Sequence, residues 1–82
     1  MDKYVIELTI TPEPTSDPIE IELTGCNLAV LQREFASVVS EACNKDGYNE
    51  GVVCVEVVIT KNDEYYDRDE GEFDLAKGLF LL

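Results

Sequence analysis

The strongest constraint on the fold is a run of nine residues, 52–60, dominated by β-branched side chains. Val, Ile and Thr favour extended backbone, because a branched Cβ packs well on a pleated sheet and restricts χ1 in a helix. The run is apolar at most positions, which is typical of a strand whose second face is partly covered too. The sequence therefore predicts a central β-strand here.

Two more strands are predicted near the N-terminus. Apolar side chains occupy alternate positions in residues 4–10 and again in residues 19–23. A period of two is the pattern of a half-buried strand. The connecting residues 12–18 include three prolines, and proline cannot donate a hydrogen bond to a neighbouring strand. We expect an antiparallel β-hairpin with a proline-rich loop.

The apolar period changes to 3.6 residues after this hairpin. Asn27 is a favourable N-cap, and the apolar residues of 28–43 fall on one helical stripe. Asp46 and Gly47 then form a stop signal. We expect one helix that runs to about Asn44, with its stripe packed on the sheet.

The expected fold is one α+β domain spanning residues 1–82, since a chain this short does not divide into two domains. A hairpin, one helix and further strands follow in the order ββαβ or ββαββ, with the helix packed on a three- or four-stranded, mainly antiparallel sheet. Residues 79–82 are either a closing strand or a contact surface. The alternation places Glu7, Glu20, Glu22 and Glu56 on the sheet face that lacks a helix.

The charge excludes several kinds of partner. The sequence has eighteen acidic residues, six basic residues and no histidine, so its net charge is −12. A surface this negative repels phosphate, so we expect no direct binding to nucleic acid or to anionic membranes. The sequence has no run of apolar residues long enough to span a bilayer, and its start lacks the pattern of a signal peptide. The expected location is the cytoplasm.

Cysteine usage indicates neither disulfides nor zinc. The three cysteines form no C-x-x-C pair, and no histidine is present to complete a tetrahedral site. We expect Cys26, Cys43 and Cys54 to be unpaired, mostly buried small hydrophobes. No cofactor or metal ion is predicted.

Catalysis is not expected. Histidine, the usual general base near neutral pH, is absent from the sequence. The sequence also contains no glycine-rich phosphate loop or nucleophile elbow. Paired carboxylates could act as acid and base only in a cleft that separates their pKa values, and a domain with one helix has little volume for a cleft. The sequence therefore predicts a protein that is not an enzyme.

Residues 63–74 are the most acidic segment, and we interpret them as a loop. Gly71 at the sixth position of an EF-hand loop would put Tyr66, Arg68 and Lys77 at ligand positions, so the calcium motif fails. Three interpretations remain: a solvated loop that aids solubility, loose binding of Ca²⁺ or Mg²⁺, and a protein-binding surface. Phe73 is either a core residue or an anchor of that surface.

The binding hypothesis joins this segment to the uncovered sheet face. Carboxylates at alternate positions of a strand lie about 6.6–6.8 Å apart, a spacing of the same order as that of successive phosphates. Such a surface fits the basic groove of a nucleic-acid-binding protein, and aromatic residues are common interface anchors. The expected partner-binding residues are Glu20, Glu22, Asp63, Glu64, Tyr65, Tyr66, Asp67, Asp69, Glu70, Glu72 and Asp74.

In composition, the small size and acidity resemble phage-encoded inhibitors, including anti-CRISPR proteins and other nucleic-acid mimics. This resemblance implies a small acidic inhibitor, monomeric or homodimeric, that works in the host cytoplasm. It would bind a basic nucleic-acid-handling protein and block the substrate site. The alternative is a structural or assembly protein that oligomerises, or joins a larger complex, through its sheet edge and apolar C-terminus.

Overall fold

The computed structural model describes residues 1–12 and 17–81. Residues 13–16 of the predicted proline-rich loop and Leu82 of the predicted apolar tail lie outside the described residues.

The described chain forms one antiparallel sheet and two short helices. The elements are β1 (Tyr4–Thr11), β2 (Ile19–Gly25), α1 (Leu28–Arg33), α2 (Phe35–Lys45), β3 (Val52–Lys61), β4 (Glu64–Asp74) and β5 (Leu79–Leu81). The strand order in the sheet is β2-β1-β3-β4-β5, and all neighbouring strands are antiparallel. The predicted hairpin of β1 and β2 is confirmed, and so is the central position of β3.

The predicted α+β fold, ββαβ or ββαββ with one helix on a three- or four-stranded sheet, is wrong. Strands dominate the structure, because the sheet has five strands and the helices are short. Residues 63–74, which we expected to form a loop, are almost entirely the strand β4. Only Phe73 is buried within β4, so the strand lacks the apolar alternation that would reveal it in a sequence. Its pairing with β3 holds it extended instead.

The predicted single helix is divided at Glu34. The Asn27 side chain accepts a hydrogen bond from the Val30 N–H at 3.3 Å, which confirms the predicted N-cap. The Glu34 N–H donates to the Leu31 carbonyl three residues earlier, at 3.1 Å. This spacing is tighter than the four-residue spacing of an α-helix, so α1 ends there and α2 begins at the next residue.

The core lies between the two helices and one face of the sheet. Leu31, Val39 and Cys43 contribute the buried side chains of the helices. They belong to one cluster with alternate residues of the two adjacent strands β1 and β3. The buried residues that β1 and β3 contribute to that cluster are Ile6, Leu8, Ile10, Val53, Val55, Val57 and Ile59.

Phe73 of β4 extends this core along the same face of the sheet, toward the edge formed by β5. Its side chain is fully buried, and its ring meets the ring of Phe80 in β5 edge to face, with 4.9 Å between the centroids. Of the two interpretations of Phe73, the structure supports the core residue. The contact also attaches the short strand β5 to the end of β4.

A tight turn connects β3 to β4. Asn62 and Asp63 both have positive φ, at 52° and 68°, and this conformation suits the twist of a hairpin. The Asn62 side chain accepts a hydrogen bond from the Lys3 N–H at 2.9 Å and donates one to the Asp2 carboxylate at 3.1 Å. The bond from Asn62, with the nearby charge of Lys61, lowers the pKa of Asp2. The turn therefore holds the N-terminal residues against the end of β3.

Replacing Phe73 with Ala is expected to lower the free energy of unfolding by about 3–5 kcal/mol, because it deletes a fully buried ring and leaves a cavity. This is a large share of the roughly 5–15 kcal/mol that stabilises a small domain. Urea unfolding followed by circular dichroism measures the change. Tyr65→Ala is the control, because this ring is 69% exposed and its loss should change stability by only about 0.5 kcal/mol. Similar losses for the two variants would contradict the packing of Phe73.

Candidate functional site

The sheet face that points away from α1 and α2, which we call the open face, is acidic. Successive side chains of a strand point to opposite faces, so the residues between the core positions lie on the open face. The register confirms the predicted placement of Glu7, Glu20, Glu22 and Glu56 there, and β4 adds two more glutamates and one aspartate, Asp74. The glutamates of the open face are Glu7, Glu20, Glu22, Glu56, Glu70 and Glu72.

Two pairs of these glutamates face each other directly across neighbouring strands. Glu7 in β1 is opposite Glu22 in β2, and Glu56 in β3 is opposite Glu70 in β4. Side chains at opposite positions of antiparallel strands have Cβ atoms about 4.5–5.5 Å apart, and like charges at that distance are destabilising. The open face therefore concentrates negative charge at the expense of folding stability.

Arg68 compensates one of these pairs. Its guanidinium Nη2 lies 2.9 Å from a Glu56 carboxylate oxygen and 2.8 Å from one of Glu70. The hydrogen bond and charge of Glu56, together with the charge of Glu70, raise the pKa of Arg68. In the described part of the chain, no cation lies within ion-pair distance of Glu7 or Glu22.

The predicted partner-binding residues of the acidic segment do not form one patch. Because β4 is a strand, its side chains alternate between the two faces, and Asp63 lies in the turn before it. Tyr65, Glu70, Glu72 and Asp74 are at open-face positions, with Glu20 and Glu22 of β2 on the same face. Glu64, Asp67 and Asp69 are at positions on the helix side.

The two tyrosines also occupy different environments. Tyr65 is exposed, whereas Tyr66 packs edge to face against Tyr4 with 5.9 Å between ring centroids. The Lys61 ammonium lies 5.6 Å from the Tyr66 ring centroid and 5.8 Å from that of Tyr4. The charge of the Asp2 carboxylate is the main cause of the raised pKa of Lys61, and Tyr4 is the next largest. Tyr65 is thus the better placed of the two for a contact on the open face.

The cysteines only partly match the prediction. All three are free, but Cys43 alone is buried, and burial raises the pKa of its thiol. Cys26 and Cys54 are exposed, so the prediction of mostly buried thiols is wrong for them. Cys54 lies opposite Glu72 and Thr11 on the open face, and no helix packs on that side.

Residues 1–12 and 17–81 contain neither a cluster of metal ligands nor a membrane-spanning helix. No group of three or more His, Cys, Asp or Glu side chains within these ranges could hold a metal ion. None of the helices described is long and apolar enough to cross a bilayer.

Comparison with known proteins provides no relative: no protein-family model matches the chain, and searches of curated proteins and of solved structures find no significant match. The function is therefore inferred from the open face itself.

Arg68 and the turn at Asn62 are the features of the site that sequence reasoning missed. Asn and Asp tolerate positive φ, so Asn62 followed by Asp63 is a signal for a hairpin turn after a strong strand. A hairpin at that point predicts β4, and alternation then places Arg68 and Glu70 on one face. The acidic composition of the segment obscured this signal.

Replacing Glu22 with Gln is expected to stabilise the fold by about 0.2–1 kcal/mol at low salt, because it removes the repulsion from Glu7. The matched control is Glu20→Gln, which removes the same charge from the same strand but faces Thr9. Urea unfolding at low and high salt measures both variants, and high salt should abolish the difference. Equal stabilisation by the two variants would show that the facing pair has no special effect.

Proposed function

We propose that this protein is a small acidic inhibitor without catalytic activity. It binds a basic nucleic-acid-handling protein through the open face and blocks the site where that protein holds its substrate. The observation that carries the proposal is the grouping of the glutamates Glu7, Glu20, Glu22, Glu56, Glu70 and Glu72 on one face.

The sheet provides a rigid array of charges. Carboxylates lie about 6.6–6.8 Å apart along a strand, and neighbouring strands are about 4.7–4.9 Å apart. A charge array fixed by backbone pairing loses less conformational entropy on binding than flexible acidic side chains on a loop. A basic groove that evolved to hold a regular row of phosphates is the natural complement of such a face.

The facing glutamate pairs favour a binding role for the acidic surface over a role in solubility alone. Solubility requires net charge, which an even spread of carboxylates supplies without direct repulsion. Glu7 and Glu22 instead face each other with no cation between them in the described chain. Arg68 shows how a guanidinium fits between two facing glutamates, since it contacts Glu56 and Glu70 at once. A partner arginine or lysine can occupy the equivalent position between Glu7 and Glu22.

The compositional resemblance to phage-encoded inhibitors supports the choice of partner. CRISPR effector nucleases and restriction endonucleases hold nucleic acid in positively charged channels, and an acidic body of this size can enter such a channel. A phage origin and action in the host cytoplasm are parts of this proposal.

The test is inhibition of DNA cleavage by a panel of purified CRISPR effector nucleases and restriction endonucleases. The wild-type protein should inhibit at least one of them in competition with DNA, and inhibition should weaken as salt is raised. An open-face variant with Glu7, Glu20 and Glu22 changed to Gln should inhibit at least about tenfold less well, since one lost charge pair at an interface can account for that factor.

The matched control for this test changes Glu34, Glu41 and Glu50 to Gln. These exposed residues lie between the two helices, in α2 and in the loop before β3, so the control loses the same net charge without altering the open face. It should inhibit as well as the wild-type protein. Equal weakening of both variants, or the absence of any inhibited enzyme at low salt, would overturn the proposal.

A second candidate function, assembly into an oligomer or larger complex, is favoured by one observation. The edge strand β5 exposes two large apolar side chains, with Leu79 49% and Leu81 38% accessible. Exposed apolar residues on a strand edge are typical of surfaces that pair with another chain. Sedimentation velocity tests this function with the double variant Leu79→Ser and Leu81→Ser. A concentration-dependent oligomer that the double variant abolishes would favour assembly, and a wild-type monomer would exclude self-association through β5.

A further inference from the structure

The outer edge of β4 is largely free. β3 pairs with β4 along its length, but β5 covers only the three residues Glu72, Phe73 and Asp74. Among the described residues, no strand lies beside positions 64–71 on that outer side. This free edge is about 26 Å long at about 3.3 Å per residue, which is enough for a strand of ordinary length.

Two backbone N–H groups of this edge are bonded to side chains instead of to a strand. The Arg68 N–H donates to the Asp67 carboxylate at 2.8 Å, and the Glu70 N–H donates to the Asp69 carboxylate at 2.9 Å. In an antiparallel strand, alternate residues direct their backbone groups to the same side. Asp74 has the same parity, and its carbonyl accepts a hydrogen bond from the Gly78 N–H at 2.8 Å in the turn toward β5, so Arg68 and Glu70 direct their N–H groups to the free edge.

A groove of about 450 Å³ with a mixed polar and apolar lining lies beside this edge on the helix side of the sheet. Val57 and Ile59 of β3 line it, with Phe35 of α2 and Phe80 of β5. Gly71 also borders the groove, and a Cβ there would meet no atom within 4 Å. The groove is therefore open where β4 has no side chain.

Asp67 and Asp69 make the rim of this groove acidic. Both line it, and both are exposed. An apolar floor beside an acidic rim is complementary to a segment that carries apolar and basic side chains. The groove lies on the opposite face of the sheet from the open face.

We propose that the free edge of β4 binds an extended basic segment of a partner protein by strand addition. The backbone N–H groups of Arg68 and Glu70 donate hydrogen bonds to carbonyl groups of the incoming strand. Asp67 and Asp69, released from these N–H groups, pair with lysine or arginine side chains of the incoming strand. One apolar side chain of that strand enters the groove over Val57 and Ile59.

Charge complementarity decides between a basic segment and a second copy of this chain. Two copies paired through this edge would bring Asp67, Asp69 and Glu70 of each chain together, and each chain has a net charge of −12. Like charges at close range across strands are destabilising. A basic segment replaces that repulsion with attraction. This binding site does not depend on the open face, so the proposed inhibitor function and the site at the edge of β4 can each fail alone.

The probe is a fluorescently labelled synthetic peptide with lysine, lysine and valine at successive alternate positions and threonine between them, so that these three side chains point to the same side of the added strand. Fluorescence anisotropy measures its binding. The test variant changes Asp67 and Asp69 to Asn, which keeps an oxygen acceptor for the neighbouring N–H groups but removes both charges. The control variant changes Glu41 and Glu50 to Gln, which removes two charges from exposed positions outside β4 and the open face. We expect the first variant to bind at least about tenfold more weakly than the wild-type protein, and the second to change affinity less than about twofold.

A second measurement separates strand addition from general attraction between charges. The same peptide, N-methylated at every residue so that neither of its edges can donate hydrogen bonds to a strand, should lose its binding. Amide NMR spectra should show the Arg68 and Glu70 signals shifting with the unmodified peptide. Binding of the N-methylated peptide at full strength, or equal weakening by the two variants, would overturn the proposal. A wild-type dimer whose β4 amides are protected from exchange would also overturn it, because a second copy would then occupy the edge.

Discussion

Backbone pairing of β3 with β1 on one side and β4 on the other is the interaction on which the rest of the structure depends. β3 directs Val53, Val55, Val57 and Ile59 into the core. Because side chains alternate, the same register directs Glu56 to the open face, beside Glu70 of β4. The packing that stabilises the fold thus also determines where the negative charge is displayed.

The distribution of charge reflects two opposing demands. Repulsion between carboxylates on adjacent strands weakens the sheet, and Arg68 offsets it for Glu56 and Glu70. The pair of Glu7 and Glu22 has no such compensation among the described residues. On the other side of β4, two aspartates bond to the backbone N–H groups of their neighbours. Side-chain bonding of this kind is one way to keep a strand edge from pairing with unintended partners.

Local patterns predicted the parts of the fold that local physics controls. The hairpin of β1 and β2, the strand β3 and the N-cap Asn27 follow from alternation, β-branching and side-chain capping, and the structure confirms them. The prediction failed for β4, whose first nine residues are all exposed and therefore have no apolar period. It also missed the division of the helix at Glu34, where the Glu34 N–H donates to the Leu31 carbonyl three residues earlier. The apolar period of the sequence continues through this point and therefore does not reveal the break.

The sequence by itself determined the sign and size of the charge, a net −12, and the alternation that brings Glu7, Glu20, Glu22 and Glu56 to one face. Only the tertiary structure decided how the acidic residues of 63–74 are divided. As a loop, that segment could present its carboxylates together. Paired with β3 as a strand, it places Glu70 and Glu72 on the open face and Asp67 and Asp69 beside the helix-side groove. The physical reason is that hydrogen bonding to a neighbouring strand fixes the backbone, and an extended backbone sends successive side chains to opposite sides.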